Sequence, residues 1–201
     1  MARASNLLLD VPLFPLATVL FPRGPLELRV FEPRYLDLVR ECTSDNRLFG
    51  VCLILGGEEV GAPASPAAVG TLARITDFYT SPEGLLGICI EGDERFRVAR
   101  VRVRDDGLLR GDVAPWECEP THDVAPEFGL LVTILERLVE QMRPPWKDAP
   151  RDRYDDASWV GFRLAELLPL AAGERQMLLE MVDPLERLAW LRDVLPRFQR
   201  S

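Results

Sequence analysis

The chain has 201 residues, of which 47% are hydrophobic and 28% are charged, with 14 Gly and 17 Pro. This length and apolar fraction allow one or two globular domains and exclude a disordered or collagen-like chain. The 24 basic and 32 acidic side chains give a net charge of -8 at pH 7, which argues against a dedicated binder of polyanions.

The first 118 residues predict mainly β structure. Short apolar or alternating runs occur at residues 17–21, 26–31, 48–55, 70–79, 85–91, 94–103 and 108–114. Turns rich in Gly, Pro and Asp separate these runs, and strands at such spacing indicate a barrel or sandwich. One helix is predicted among the strands, because Pro33 suits a first helical turn and residues 44–46 can end the helix.

After about residue 120 the apolar period changes from two to 3.6, which predicts helices. The first runs from Phe128 to Met142, the second from about Asp156 to Leu168 and the third over residues 173–182. The last begins at Asp183, where the sequence resembles a capping box. Their apolar stripes are interpreted as packing faces. The sequence therefore predicts a β-rich subdomain over residues 1–118 and an α-helical subdomain over residues 119–201.

The scarce residues exclude several kinds of active site. The only lysine, Lys147, is followed by Asp148, so no Walker A loop is present. The only histidine, His122, lies in a polar stretch and is interpreted as a solvated loop residue rather than a catalytic base. The four cysteines, at positions 42, 52, 89 and 118, lack the spacing of a zinc site or a disulfide framework. We therefore expect no catalytic centre, no metal and no cofactor.

The chain is also expected to work in the cytoplasm without contacting a membrane. No apolar run reaches 18 residues, and the apolar start at residues 7–9 is interrupted by Asp10 and Pro12. The absence of a disulfide pattern favours a reducing compartment. Cys52 and Cys89 lie within apolar runs and are predicted to be buried, inert thiols.

Several segments resemble the N-terminal, substrate-binding domain of the Lon protease family, in the expected order. They are VPLFPL at 11–16, VLFP at 19–22, LELRVFEPRY at 26–35, FGV at 49–51, GTLARI at 70–75, GDERFRV at 92–98, LPL at 168–170, ERQMLLE at 174–180 and DPLERL at 183–188. The resemblance implies an α+β fold, in which a PUA-like β pseudo-barrel with one inserted helix is followed by a C-terminal helical subdomain. The chain resembles a stand-alone Lon-domain protein, since it lacks the Walker motif and the Ser-Lys pair of a full Lon protease.

This resemblance implies a non-catalytic module that binds unfolded or exposed hydrophobic segments of polypeptides, with a protease or another protein as a further partner. Candidate contacts are Phe78 and Tyr79 at a strand end, Trp116 at the junction between the two halves, and Trp146 in a polar loop. For Trp146 the alternative is that the ring packs onto the body of the protein.

Two other functions are weighed against polypeptide binding. The first is RNA binding by a PUA-like fold, prompted by the arginines at 95, 97, 100, 102 and 104. The apolar alternation breaks near Ala99, which would split these arginines between two faces, and the net negative charge favours a solvated, neutralised strand instead. Nucleic acid is therefore not the expected partner. The second is an adaptor whose acidic helical half docks onto another protein.

Overall fold

Apart from one helix between the second and third strands, the strands precede the helices along the chain, which gives an α+β fold, as the sequence predicts. The computed structural model describes residues 7–59, 61, 64–116, 119–142 and 149–198, and over these ranges it has six strands and five α-helices. The chain divides into two compact units, Met1–Trp116 and Glu117–Ser201. The predicted boundary after Cys118 and the candidate contact Trp146 both lie outside the described residues.

The first unit is built on one mixed sheet. Its strands are β1 (Leu8–Leu16), β2 (Pro25–Val30), β3 (Phe49–Gly56), β4 (Ser65–Thr80), β5 (Leu86–Val103) and β6 (Leu109–Pro115), and helix α1 (Pro33–Asp45) lies between β2 and β3 in the chain. The pairings β1–β3, β3–β4, β4–β5, β5–β6 and β6–β1 close a ring, in which only β1–β3 is parallel. The result is a ring-like sheet rather than a clear barrel, with β2 added to the edge of β5.

The core of this unit lies between α1 and the inner face of the sheet. Helix α1 contributes Leu38, Val39 and Cys42, which pack against Phe49 and Ile88 in the larger of two apolar clusters. The second cluster, inside the closed part of the ring, contains Leu13, Cys52, Leu72, Phe96, Leu109 and Val113. Burial of these side chains supplies the main stabilisation of the sheet.

Two strand predictions are wrong in detail. Residues 17–21 are not a strand, and the first strand is β1, which contains Pro12 and Pro15. Pro12 precedes the first residue paired with β3, and Pro15 follows the last residue paired with β6. On one side of β1, each proline therefore lies beyond the paired residues, where its missing N–H breaks no hydrogen bond between strands. The runs predicted at 85–91 and 94–103 form the single long strand β5.

The second unit contains helices α2 (Gly129–Glu140), α3 (Ala157–Leu167), α4 (Ala172–Glu180) and α5 (Pro184–Val194). Asp156 caps α3 and Asp183 caps α5, each accepting hydrogen bonds from backbone N–H groups of the first turn. Helix α3 is central, since it contacts α2, α4 and α5. Eight of its eleven residues are buried, so it is buried nearly all round rather than along one stripe.

Within the described ranges, every helix is too short or too polar to cross a lipid bilayer. The described side chains also contain no group of three or more His, Cys, Asp and Glu residues placed to hold a metal ion.

Candidate functional site

Strand β2 has one unpaired edge. It pairs antiparallel with β5 over Pro25–Val30, from Pro25 opposite Glu91 to Val30 opposite Leu86, and with no other described strand. An unpaired strand edge exposes backbone N–H and C=O groups that can pair with an added strand. This edge is therefore a part of the sheet that is open to an extended polypeptide.

The hydrogen-bond pattern shows which residues of β2 face the open edge. The N–H of Gly92 donates to the carbonyl of Gly24 at 2.9 Å, so Gly92 directs its backbone groups toward β2. This direction alternates along a strand, so Ile90 and Ile88 also direct their backbone groups toward β2. Their partners on β2, Leu26 and Leu28, therefore form the hydrogen bonds to β5. The backbone groups of Glu27 and Arg29, which lie between and beyond them, point to the open edge.

A cleft of about 320 Å³ lies along this edge. Strand β2 lines it with three consecutive residues, Glu27, Leu28 and Arg29. The other lining residues come from β1, α1, the segment before α1 and two loops, and they are Phe14, Leu16, Phe31, Glu32, Tyr35, Glu59 and Leu85. This volume is at the lower end of the range of ligand pockets, about 300–1,000 Å³, and suits one or two side chains.

Two stacked aromatic rings form one part of the apolar lining of the cleft. Phe14 and Tyr35 lie with ring centroids 4.0 Å apart and nearly parallel planes. Both residues are buried, whereas Phe31 and Leu85 are 51% and 37% exposed. The cleft therefore joins a fixed aromatic surface to exposed apolar side chains, which is the combination expected where an apolar segment is bound.

Charged groups surround the phenol of Tyr35. Burial raises the pKa of Tyr35, the Arg34 guanidinium opposes this, and the Glu32 and Glu59 carboxylates raise the pKa further. Arg34 lies 4.7 Å above the Tyr35 ring, forms an ion pair with Glu32 at 2.9 Å and donates to the Gly107 carbonyl. The Glu59 carboxylate accepts a hydrogen bond from the Ala17 N–H. Tyr35 thus stays neutral at physiological pH within a partly acidic rim.

The structure places Phe78 and Tyr79, the contacts predicted at a strand end, on opposite faces of the sheet. Phe78 is 47% exposed and lies opposite Ile88, which itself lies opposite Leu28, so Phe78 and Leu28 are on the same face of the sheet. Tyr79 is on the other face, and its ring covers Gly87 so closely that a Cβ there would lie 2.3 Å from ring atoms. Phe78 is thus the member of the pair that shares a face with a residue of the cleft.

Trp116 lies beside the middle of β5, away from the row of Phe78 and Ile88. Its backbone N–H donates to the Arg95 carbonyl, and the guanidinium carbons of Arg95 and Arg97 lie 5.6 and 4.8 Å from the centroid of its ring. Because Ile88 and Arg95 are seven residues apart on one strand, about 23 Å separates this cluster from the row of Phe78. The structure therefore does not bring Trp116 together with Phe78 and Tyr79.

Carboxylates pair with much of the arginine run of β5. Arg102 bonds to Asp112 at 2.8 Å and to Asp10 at 3.2 Å, and Arg104 bonds to Asp106. Arg95 is buried, and Arg97 stacks on Trp116. Three of the five arginines are thus paired with carboxylates or buried, so the run does not present all of its charges to phosphates.

The thiols are unreactive where they are buried. Burial raises the pKa of Cys52 to about 12 and that of Cys42 to about 11. The prediction of a buried thiol holds for Cys52, but Cys89 is only half-buried, because it points to the outer face of the sheet beside Glu27 and Asp77.

Sequence reasoning missed the cleft. The segments that resemble the Lon domain include Phe14, Phe31 and Tyr35, and the sequence favours core packing for them, because aromatic residues next to strand-forming runs are usually buried. That interpretation holds for Phe14 and Tyr35, whereas Phe31 is half exposed. No sequence signal shows that β2 pairs with a single one of the described strands.

The ring-like mixed sheet followed by a helical unit is the fold of Lon N-terminal domains. A Lon N-terminal domain protein from Xanthomonas campestris has 46% sequence identity and a TM-score of 0.76, with 92% of this chain and 98% of that chain covered. The N-terminal domain of a Lon protease from the Mycobacterium avium complex has a TM-score of 0.64 at 18% identity, covering 92% and 96% of the two chains, and supports the fold alone.

The family model of the ATP-dependent protease La (LON) substrate-binding domain matches residues 10–197. The chain therefore belongs to the family of LON substrate-binding domains. Among full-length relatives, the Lon protease of Xanthomonas oryzae is 27% identical over 198 residues, and that of Escherichia coli is 23% identical over 194 residues. These matches cover 95% and 91% of this chain, which spans about a quarter of the relatives, 23% and 24% of their lengths.

Proposed function

We propose that this chain is a non-catalytic polypeptide-binding domain that holds extended, apolar segments of unfolded proteins in the cytoplasm. The observation that carries the proposal is the open edge of β2, which lies beside a cleft containing the Phe14 and Tyr35 rings. Membership of a substrate-binding family supports it. The free thiols Cys42 and Cys52 are consistent with a reducing compartment.

The bound segment adds a strand to β2. Its backbone pairs with the outward N–H and C=O groups of Glu27 and Arg29, which gives affinity without a fixed sequence. Alternate side chains of an added strand share the face of Leu28, where they reach the aromatic cleft. Phe78, two strands away on that face, extends the apolar surface. A protease that receives the bound segment is the partner this role implies.

The first test measures the fluorescence anisotropy of a labelled, permanently unfolded polypeptide titrated with the full chain. We expect saturable binding that neither unlabelled RNA nor a folded protein displaces. The absence of binding at tens of micromolar would refute the proposal. Displacement by RNA alone would show that the domain binds nucleic acid instead.

Substitutions then locate the site. Glu27→Pro removes one outward N–H, as Pro25 already does two residues earlier, and should not disturb the ladder to β5. A hydrogen bond contributes about 0.5–1.5 kcal/mol, so Glu27→Pro should weaken binding about two- to tenfold relative to Glu27→Ala, which loses only the carboxylate.

A second pair tests the apolar surface. Phe31→Ser should weaken binding, whereas Leu55→Ser should not, because Leu55 is 67% exposed but lies outside the cleft. Phe78→Ser tests whether the surface extends across the sheet. If Glu27→Pro and Phe31→Ser both bind like the parent, the cleft is not the site.

A second copy of the chain is the other occupant that the edge could accept. In an antiparallel pairing centred on Leu28, Glu27 of one copy would lie opposite Arg29 of the other. Light scattering of the parent and of Glu27→Pro distinguishes this case. A dimer that Glu27→Pro converts to a monomer, without polypeptide binding by either form, would assign the edge to self-association and refute the proposal.

A further inference from the structure

The cleft along β2 has an excess of negative charge. Three carboxylates line it, from Glu27, Glu32 and Glu59, against one guanidinium, from Arg29. The ion-pair partners just outside are Glu83, 3.7 Å from Arg29, and Arg34, 2.9 Å from Glu32. Including both partners leaves an excess of two negative charges around the open edge.

The positive groups near the cleft are already engaged. Arg34 is buried and bonds to Glu32 and to the Gly107 carbonyl. Arg29 is exposed and paired with Glu83. Glu27 is exposed, and its backbone faces the open edge. On the outer face of β2 an added strand would therefore meet the Glu27 carboxylate together with the Arg29–Glu83 ion pair, which leaves one excess negative charge.

The two faces of an added strand meet different surroundings. Side chains on the face of Leu28 meet Phe14 and Tyr35, whereas those between them are on the face of Glu27. Carboxylates directly opposite one another across neighbouring strands are destabilising, and opposite charges are stabilising. The cleft thus accepts apolar side chains at every second position of an added strand and favours cations at the positions between them.

We propose that the cleft selects extended segments in which apolar residues alternate with lysine or arginine, and disfavours segments in which they alternate with acidic residues. This inference rests on the proposed function, because it specifies which polypeptides the same edge binds. It gives Glu27 the role of a specificity-determining residue. Glu32 and Glu59 contribute to the same negative field from the rim of the cleft.

The test compares three labelled peptides of about ten residues with identical apolar positions and with Lys, Gln or Glu at the intervening positions. Anisotropy titrations with the full chain are made at low and at high salt. We expect the Lys peptide to bind at least threefold more tightly than the Gln peptide, and the Glu peptide to bind most weakly. Salt should reduce these differences, since the charges are near solvent.

A charge-neutralising pair assigns the preference to the cleft. Glu27→Gln should reduce the ratio of Lys-peptide to Glu-peptide affinity at least twofold while retaining binding of the Gln peptide. Glu94→Gln is the matched control, because Glu94 is exposed on β5, five residues beyond the partner of Glu27. This spacing is about 17 Å, which exceeds the screening length of about 8 Å at physiological salt.

The outcomes separate the two proposals. Equal binding of the three peptides, tighter binding of the Glu peptide, or an unchanged ratio in Glu27→Gln would overturn the charge selection and leave polypeptide binding intact. No binding of any peptide, together with no binding of the unfolded polypeptide, would overturn the proposed function itself.

Discussion

A buried arginine holds the helical unit together, and its removal should be severely destabilising. The Arg187 side chain on α5 is fully buried, with its guanidinium carbon 3.9 Å from the Phe162 ring centroid. It donates to the carbonyls of Leu178 at 3.0 Å and Met181 at 2.8 Å, at the C-terminal end of α4. It also forms a two-pronged ion pair with Glu119, which is itself nearly buried.

The perturbation is Arg187→Met, which keeps much of the aliphatic volume and removes the charge. It leaves the Glu119 carboxylate buried without this cation and takes the donors from two carbonyls. Breaking a buried ion pair on one side costs about 3–5 kcal/mol. We expect the free energy of unfolding of the helical unit to fall by about this amount. Arg192→Met, on the same helix but 43% exposed, should cost less than about 1 kcal/mol.

The assay is urea denaturation followed by far-ultraviolet circular dichroism, with a double-mutant cycle. Glu119→Gln combined with Arg187→Met removes both charges, so the double variant should lose less than the sum of the two single losses, by about 2 kcal/mol or more. A loss below about 1 kcal/mol in Arg187→Met, or additive losses in the cycle, would refute the view that a desolvated ion pair is the main interaction here.

Two glycines and one ion pair give the further predictions. Gly92→Ala should destabilise the protein by about 1–3 kcal/mol, because a Cβ would lie 2.2 Å from the Phe21 carbonyl oxygen. Gly173→Ala in α4, where a Cβ would meet open space, should stabilise it by roughly 0.5–1 kcal/mol. Thermal unfolding measures both changes, and equal shifts in the unfolding temperature would contradict the packing argument. The Arg104 hydrogen bond lowers the pKa of Asp106 to about 2 from 3.8, so this contact stabilises above pH 3.8 and is lost as the pH falls through about 2. Arg104→Gln should return the pKa of Asp106 toward 3.8 in an NMR titration, and an unchanged value would contradict this assignment.

Local signals predict the elements whose ends depend on single residues. Helix α1 begins at Pro33 and ends at Asp45, because the next residue, Asn46, adopts the left-handed conformation that stops a helix. Helix α5 begins at Pro184, directly after Asp183, whose side chain caps the first turn. Strand β5 was predicted as two strands because Gly92 is typical of a turn. In the structure Gly92 stays within the strand and allows the close approach of the Phe21 carbonyl, a contact between residues far apart in sequence.

Contacts between residues far apart in sequence determine which side chains are buried, and local sequence signals do not predict this. Arg163 and Arg187 lie within helices whose other residues read as ordinary amphipathic positions, and nothing nearby in sequence indicates that both side chains are fully buried. Their burial follows from the central position of α3, which is a property of the assembled helices. The partner of Arg187, Glu119, comes from the segment before α2, 68 residues away.

The cleft beside β2 is the feature that the sequence predicts least, because residues that line the cleft also belong to the apolar core. Phe14 and Tyr35 are buried and stacked, as aromatic core residues are, yet one side of the pair lines the cleft. This arises because, among the described strands, β2 pairs with β5 alone, so none of the others covers the rings at that edge. An added polypeptide strand would complete the packing that the fold leaves open. Binding would therefore use interactions that already stabilise the domain, and side chains at the rim, Glu27 above all, would decide which segments can make them.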